Sequence, residues 1–276
     1  MQKIELYKRR TWSQSLMTGI DFYQQHLKII YGNVFKIALP TALLCAIILS
    51  NTPAVNSSST ELPPTTPALL IYSIVMLIAT SFTFAIISYL IQLYEEGQIK
   101  SPRKFQLMED LFSYTGKIFA VQLIISLLFF LGIYALVKLI AIENLYAVFL
   151  LIAILIFLTP LFLLASYPVF FEESSAIESL SKGIKMGFKS WGATFMIGLI
   201  VSIIATMIYF FFVLIGLFFS LLGSGLSQPI NASFGVLSLF LSLPIPVICL
   251  AFHYFSIREA NEGVSLKAKI DHFEDL

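Results

Sequence analysis

Five stretches of this chain run for more than twenty residues with at most one ionisable side chain of the Asp, Glu, Lys, Arg and His set. The segments 68–94, 145–171 and 192–223 hold none, 118–141 holds only Lys138, and 234–255 holds only His253. Runs of this length match the hydrocarbon core of a bilayer, where the backbone can satisfy its own polar groups only as helix or closed barrel. A sixth run, 35–50, is shorter, carries Lys36 at its start and Pro40 in its first turns, and borrows length from the segment before it. The expected fold is an all-α integral membrane protein with six transmembrane helices. Composition agrees: charged residues make up 12% of the 276, about half the share of a soluble domain.

The whole chain, 1–276, reads as a single polytopic membrane domain. Residues 1–33 form a charged leader and an interfacial helix, 34–255 hold the spans, and 256–276 are a polar tail. The first apolar run begins near Val34 with no small-residue cleavage site behind it, so the first span is expected to be retained rather than removed as a signal peptide. Residues 51–67, NTPAVNSSSTELPPTTP, lack periodicity and read as a loop. A tight turn is expected at 142–144 and an uncharged loop at SGLSQPINAS; in the latter, Asn231 opens a glycosylation-type triplet.

Three segments carry apolar residues at helical spacing next to charge. Trp12, Leu16, Ile20, Tyr23, Leu27, Ile30 and Val34 recur every three or four residues, and Thr11 to Gln14 has capping-box spacing. Phe105, Met108, Phe112, Thr115 and Phe119 do the same after Ser101-Pro102. After Glu172 and Glu173, Ser175 to Glu178 is a second capping box. It is followed by Ile177, Leu180, Ile184, Phe188 and Trp191 on one face and Lys182, Lys185 and Lys189 on another. These patterns predict interfacial helices at 12–33, 102–116 and 175–190, on the cytoplasmic side. Each precedes a pair of spans. GIDFYQQHLKIIYGNVFKIAL can be laid beside GIKMGFKSWGATFMIGLIV, so a threefold divergent helix-plus-hairpin repeat is expected. In the tail, Leu266, Ile270 and Phe273 make a short apolar pattern of the same kind.

Of the 17 Lys and Arg residues, all but Lys138 fall on one side of this layout. The positive-inside rule then places both termini in the cytoplasm. Lys138, near a span end, is expected to snorkel.

Catalysis needs ionisable or nucleophilic groups brought together, and the supply here is thin. His26, His253 and His272 form no HExxH or His/Asp cluster, and Walker A and GxSxG motifs are absent. His253 reads as an interfacial histidine, Glu172 and Glu173 as solvated acids at a helix end, and Cys45 and Cys249 as buried thiols. No enzyme activity, cofactor or metal is expected. A net charge of +1 offers no field for nucleic acid. Pro160, Pro168, Pro244 and Pro246 interrupt spans four and six, which predicts kinks that serve packing.

The run YPVFFEESSAIESLSKGIKMGFKSWGATF and the tail REANEGVSLKAKI resemble bacterial (bacteroidetal-type) multipass inner-membrane proteins. The transmembrane layout also resembles the membrane domain attached to some glycerophosphodiester phosphodiesterases. That resemblance implies a bacterial inner membrane and an accessory role. Diesterase activity does not carry over, because the metal-binding acids and histidines have no counterpart here. The expected function is a non-enzymatic scaffold or accessory subunit. It would engage lipids, anionic ones included, and partner proteins from the cytoplasmic face. The contact residues are Lys182, Lys185, Lys189, Trp191 and Trp12. The alternative is a transporter or carrier of an apolar or lipidic substrate, cued by the prolines of spans four and six.

Reporter fusions after residues 60, 143 and 228 should read periplasmic, and fusions at 105, 180 and 270 cytoplasmic. A periplasmic C-terminus would overturn the six-span layout.

Overall fold

A computed structural model of the chain describes residues 4–50, 67–97, 106–141, 145–222 and 227–265. The expected loop at 51–67 up to residue 66, the turn at 142–144, the start of the second interfacial segment and the tail pattern at Leu266, Ile270 and Phe273 lie outside them. Among the described residues there is no strand. The helices are α1 (Trp12–Ser50), α2 (Pro67–Glu95), α3 (Gln106–Ala141), α4 (Leu145–Leu163), α5 (Tyr167–Phe171), α6 (Ala176–Lys189), α7 (Trp191–Leu222), α8 (Ser227–Ser242) and α9 (Pro244–Glu262). Six segments are long and apolar enough to cross a membrane: α1, α2, α3, α4 with α5, α7, and α8 with α9. The chain is a multi-pass helical membrane protein.

Two of the three expected interfacial helices are not separate elements. The segment 12–33 is helical, but it continues without a break into span one. Thr11 and Gln14 cap α1 reciprocally, Thr11 N–H to Gln14 Oε1 at 3.0 Å and Gln14 N–H to Thr11 Oγ1 at 3.3 Å. From there α1 runs 39 residues, about 58 Å. Along it Leu16, Phe22, Ile30, Val34 and Ala38 form one continuous buried face. Pro40 does not end it, and Thr41 Oγ1 donates to the Ile37 carbonyl at 2.8 Å beside the missing N–H. Likewise α3 absorbs the described part of 102–116. Its buried face is Leu111, Thr115, Ile118 and Val121, while Phe112 points outward. Only α6 is a separate helix, closed by a C-cap at Ser190. The threefold repeat is therefore not met at the joint between helix and span, which exists in one copy alone.

The prolines act unequally. Pro160 lies inside α4, but span four breaks between Leu163 and Tyr167. Pro168 has no N–H for the Leu164 carbonyl, which accepts from Tyr167 N–H at 3.3 Å instead. Span six breaks at Leu243, just before Pro244. Near that break the Leu241 carbonyl accepts from Tyr31 OH at 2.9 Å and the Val247 carbonyl from Tyr167 OH at 2.8 Å. Span five, whose apolar run exceeds the bilayer core and calls for strong tilt or a break near Gly216, runs unbroken as the 32 residues of α7. Gly216 is instead a place of close approach, where a Cβ would lie 2.7 Å from Phe234 Cβ. The expected loop SGLSQPINAS is helical from Ser227, so Asn231 lies within α8.

Against the broken part of span four packs α6. Its buried residues are Ser179, Gly183 and Gly187, at i, i+4 and i+8. This small-residue stripe lets two backbones touch. Ser179 Oγ donates to the Ala165 carbonyl at 2.6 Å. A Cβ on Gly183 would lie 2.3 Å from Ala165 Cα, and one on Gly187 2.7 Å from the Pro160 carbonyl oxygen.

The best-buried helix is α9, in which every residue from Val247 to Ile257 is buried. Large apolar side chains on α1, α2, α3, α4 and α7 are exposed away from it, among them Leu43, Ile74, Phe130, Phe149 and Phe211. They form the surface that hydrocarbon must cover. The expected tail starts late, because α9 continues through Ser256, Ile257 and Arg258 to a left-handed C-cap at Gly263. The leader is packed, not loose: Ile4 N–H donates to Tyr94 OH at 2.6 Å, Arg10 N–H to Ser256 Oγ at 2.8 Å, and Arg9 to the Ala260 carbonyl at 3.3 Å. Both ends of the described chain thus meet at one end of the bundle, here called the polar end.

Replacing Gly183 with Ala forces backbone apart and should cost about 3 kcal/mol, read as a lower midpoint of thermal unfolding in detergent. Gly32→Ala, where nothing lies within 4 Å, should raise that midpoint slightly.

Candidate functional site

The polar end gathers charge around Glu172, the residue that caps α5. The chain turns there because Pro168's carbonyl accepts two N–H groups, from Glu172 at 3.1 Å and Ser174 at 3.2 Å. Glu173 between them is left-handed, with φ 53°. A left-handed non-glycine residue stores about 1–2 kcal/mol. This turn drives the Glu172 carboxylate inward, where its side chain is only 10% exposed. Sequence reasoning expects a solvated acid; the turn makes it a buried one.

Both of its oxygens are occupied. Oε2 accepts from Lys182 Nζ at 2.8 Å. Oε1 accepts from Tyr254 OH and stands 3.4 Å from Arg258 Nε. Lys182 also reaches Glu178 at 2.9 Å and Ser174 Oγ at 3.0 Å, and Arg258 pairs with Glu262 at 3.1 Å. The Arg258 guanidinium lies over the rings of Tyr7 and Tyr254, at 5.8 and 6.0 Å. Burial pushes the Tyr7 hydroxyl up to about 12, and the nearby Glu95 adds to this. One carboxylate therefore ties the leader, the α5–α6 turn, α6 and α9 together. The carboxylate holds two cations and a phenol, and its role here is that of a clamp.

The five predicted contact residues are dispersed around this clamp. Lys182 belongs to it and does not stand free. Lys189 donates to Asn261 Oδ1 at 2.5 Å. Lys185 is exposed and has no protein partner among the described residues. Trp191 opens α7: its indole N–H donates to the Phe157 carbonyl at 2.9 Å, and its ring stacks on Phe157 and Phe195. Trp12 is at the first residue of α1, more than a third exposed. The outer surface of α6 still carries exposed Ile177 and Phe188 along one flank and Lys185 and Lys189 along another.

Sequence reasoning missed Glu172 as a centre, with Tyr7, Tyr254 and Arg258 around it. The i,i+4 spacing of Arg258 and Glu262 was the one local signal. His253 is also placed differently from expectation. It is buried, and its Nε2 lies 3.0 Å from Thr194 Oγ1, which bonds Ser190 Oγ at 3.0 Å. The close packing of α9 on the start of α7 removes it from the interface. Cys45 and Cys249 are free, buried thiols, as the apolar context predicts. Lys138 is exposed, with its ammonium 5.7 Å from the Tyr134 ring centre. Among the described residues no group of three His, Cys, Asp or Glu gathers as a metal site would.

Comparison of the chain with protein-family models, with curated proteins and with solved structures finds no match. The likeness to bacterial multipass proteins rests on the two sequence segments alone.

The two adjacent acids should behave oppositely. Glu172→Gln leaves Lys182 and Arg258 short of a charge and should cost about 3 kcal/mol of stability. Glu173→Gly relieves the left-handed backbone and should stabilise by up to about 1 kcal/mol. Thermal unfolding of the two variants in one detergent tests this. The Lys182 hydrogen bond holds Glu178 below its ordinary 4.5, and Glu172, then Glu178, hold Lys182 above its ordinary 10.5. Stability from the pair is thus present between those values. It is lost as pH falls through the lowered Glu178 titration or rises through the raised Lys182 one. The stability difference between the parent protein and Glu178→Gln should vanish on the acid side.

Proposed function

We propose that this protein is a non-enzymatic scaffold or accessory subunit of a bacterial inner membrane. Its polar end faces the cytoplasm and engages anionic lipids and partner proteins. The orientation follows from the bias of Lys and Arg to that end. The observation that carries the reading is the three-sided use of α6. Its small-residue face is locked on span four, which leaves Ile177 and Phe188 exposed on one flank and Lys185 and Lys189 on another. A helix fixed to its own bundle through glycines, with apolar and basic sides still open, suits the boundary between acyl chains and anionic headgroups. Lys182 contributes indirectly, by holding α6 to the Glu172 clamp.

The test is Lys185→Glu with Lys189→Glu. At about 1 kcal/mol per basic residue near a charged surface, lost attraction alone is ~2 kcal/mol, and repulsion adds to it. The double variant should insert and fold normally but co-purify with less anionic lipid or lose a co-purifying partner. His253→Ala, which removes a buried bond to Thr194, should lower thermal stability and leave lipid retention unchanged. Unchanged lipid and partner content in the double variant, with both lost in His253→Ala, would overturn the reading in favour of a buried site.

A further inference from the structure

Between α1, α7 and α8 lies an apolar groove of about 410 Å³, lined by Tyr31, Phe35, Phe212, Phe234, Leu237 and Leu241. Of its lining residues, Phe35 is 39% exposed. Its depth can be read from helix lengths. Counting at about 1.5 Å per residue from the far end of α1 at Ser50, Phe35 lies about 22 Å in, Tyr31 about 28 Å and Lys28 about 33 Å. A hydrocarbon core of about 30 Å therefore ends near Tyr31. The groove sits in the leaflet nearer the polar end, and Lys28 sits at headgroup level.

Lys28 is on the same side of α1 as Tyr31 and Phe35, three and seven residues along. It is exposed, and no carboxylate among the described residues pairs with it. Asp21, the acid on that face of α1, is two turns away, about 10 Å along the axis. Beside Lys28 the groove has a hydroxyl rim: Tyr23 OH bonds Tyr31 OH at 2.5 Å, and Tyr31 donates to the Leu241 carbonyl. Two further grooves, between α3 and α4 and between α4 and α7, hold about 280 Å³ each, and like this one they have no charged lining residue. An unpaired ammonium at headgroup level attracts a lipid phosphate, and Lys28 stands about one turn of α1 from the lining residue Tyr31.

We infer that this groove is a binding site for one anionic phospholipid, with an acyl chain along Phe35, Phe212 and Phe234 and the phosphate on Lys28. It adds a second lipid contact to the reading above and does not depend on α6.

The experiment places a reporter in the groove. The full chain carrying Phe35→Trp, with Trp12→Phe and Trp191→Phe, is reconstituted in phosphatidylcholine vesicles. Quenching by brominated phosphatidylglycerol is compared with quenching by brominated phosphatidylcholine. At about 1 kcal/mol for one lysine, the anionic lipid should be preferred about fivefold. Lys28→Gln should bring the ratio close to one. Lys36→Gln, whose ammonium is bonded to Asn33 Oδ1 at 3.1 Å, should leave it unchanged, as should Lys185→Glu with Lys189→Glu. Equal quenching by the two lipids in the reporter protein would overturn the inference, because the groove would then accept any acyl chain. An equal loss on Lys36→Gln, or loss on changing α6 alone, would overturn it as well. If the α6 variant keeps its lipids while the groove preference persists, the α6 reading fails and this one stands.

Discussion

Carbonyl oxygens freed by proline inside a membrane protein have no water to turn to, and the arrangement of the polar end depends on how one such place is satisfied. Span four opens between Leu163 and Tyr167 because Pro168 cannot donate. The Leu164 carbonyl takes the Tyr167 N–H instead, and within the opened stretch Ser179 Oγ donates to the Ala165 carbonyl. Ser179 can reach only because Gly183 and Gly187 let α6 lie backbone to backbone on α4. That contact fixes where α6 runs and hence where α7 starts. Tyr31 and Tyr167 meet the same requirement near the break in span six. In lipid a buried orphan carbonyl costs several kcal/mol, so these hydroxyls are structural requirements.

With α6 placed, electrostatics locks the rest. Glu172 lies where the strained turn through Glu173 puts it, and Lys182 from α6 and Arg258 from α9 converge on it. The leader joins through Tyr7 and through Arg10 on Ser256. An acid this little exposed, with two cations and a phenol, adds modest net stability over apolar packing, and removing one member leaves charge there under-compensated. The clamp therefore specifies register more than it adds strength. It ties the leader and the end of α9 to α6.

Function follows from what this packing leaves uncovered. Dense burial along α9 occupies His253 and Cys249. Left open are apolar side chains along the spans, the lysines of α6, and Lys28 above an aromatic groove.

Much of the fold was legible in the sequence, and the reason is local. Uninterrupted apolar runs dictate spans because a backbone in hydrocarbon has to bond to itself, and Thr11–Gln14 and Ser175–Glu178 mark helix starts because capping is a matter of three residues. What the sequence could not determine is long-range. Periodicity showed that 12–33 and 106–116 are helical, but whether a helix turns along the membrane or continues into the next span depends on what covers its face. Here α9 covers Leu16 and Phe22, and α1 goes straight on. The small stripe of α6 was hidden because Ser and Gly carry no hydrophobic signal; their value exists only against Ala165 and Pro160. The pairing of Glu172 with Arg258 joins residues far apart in the chain, and only the tertiary packing of α5 on α9 decided it, by taking that carboxylate out of water.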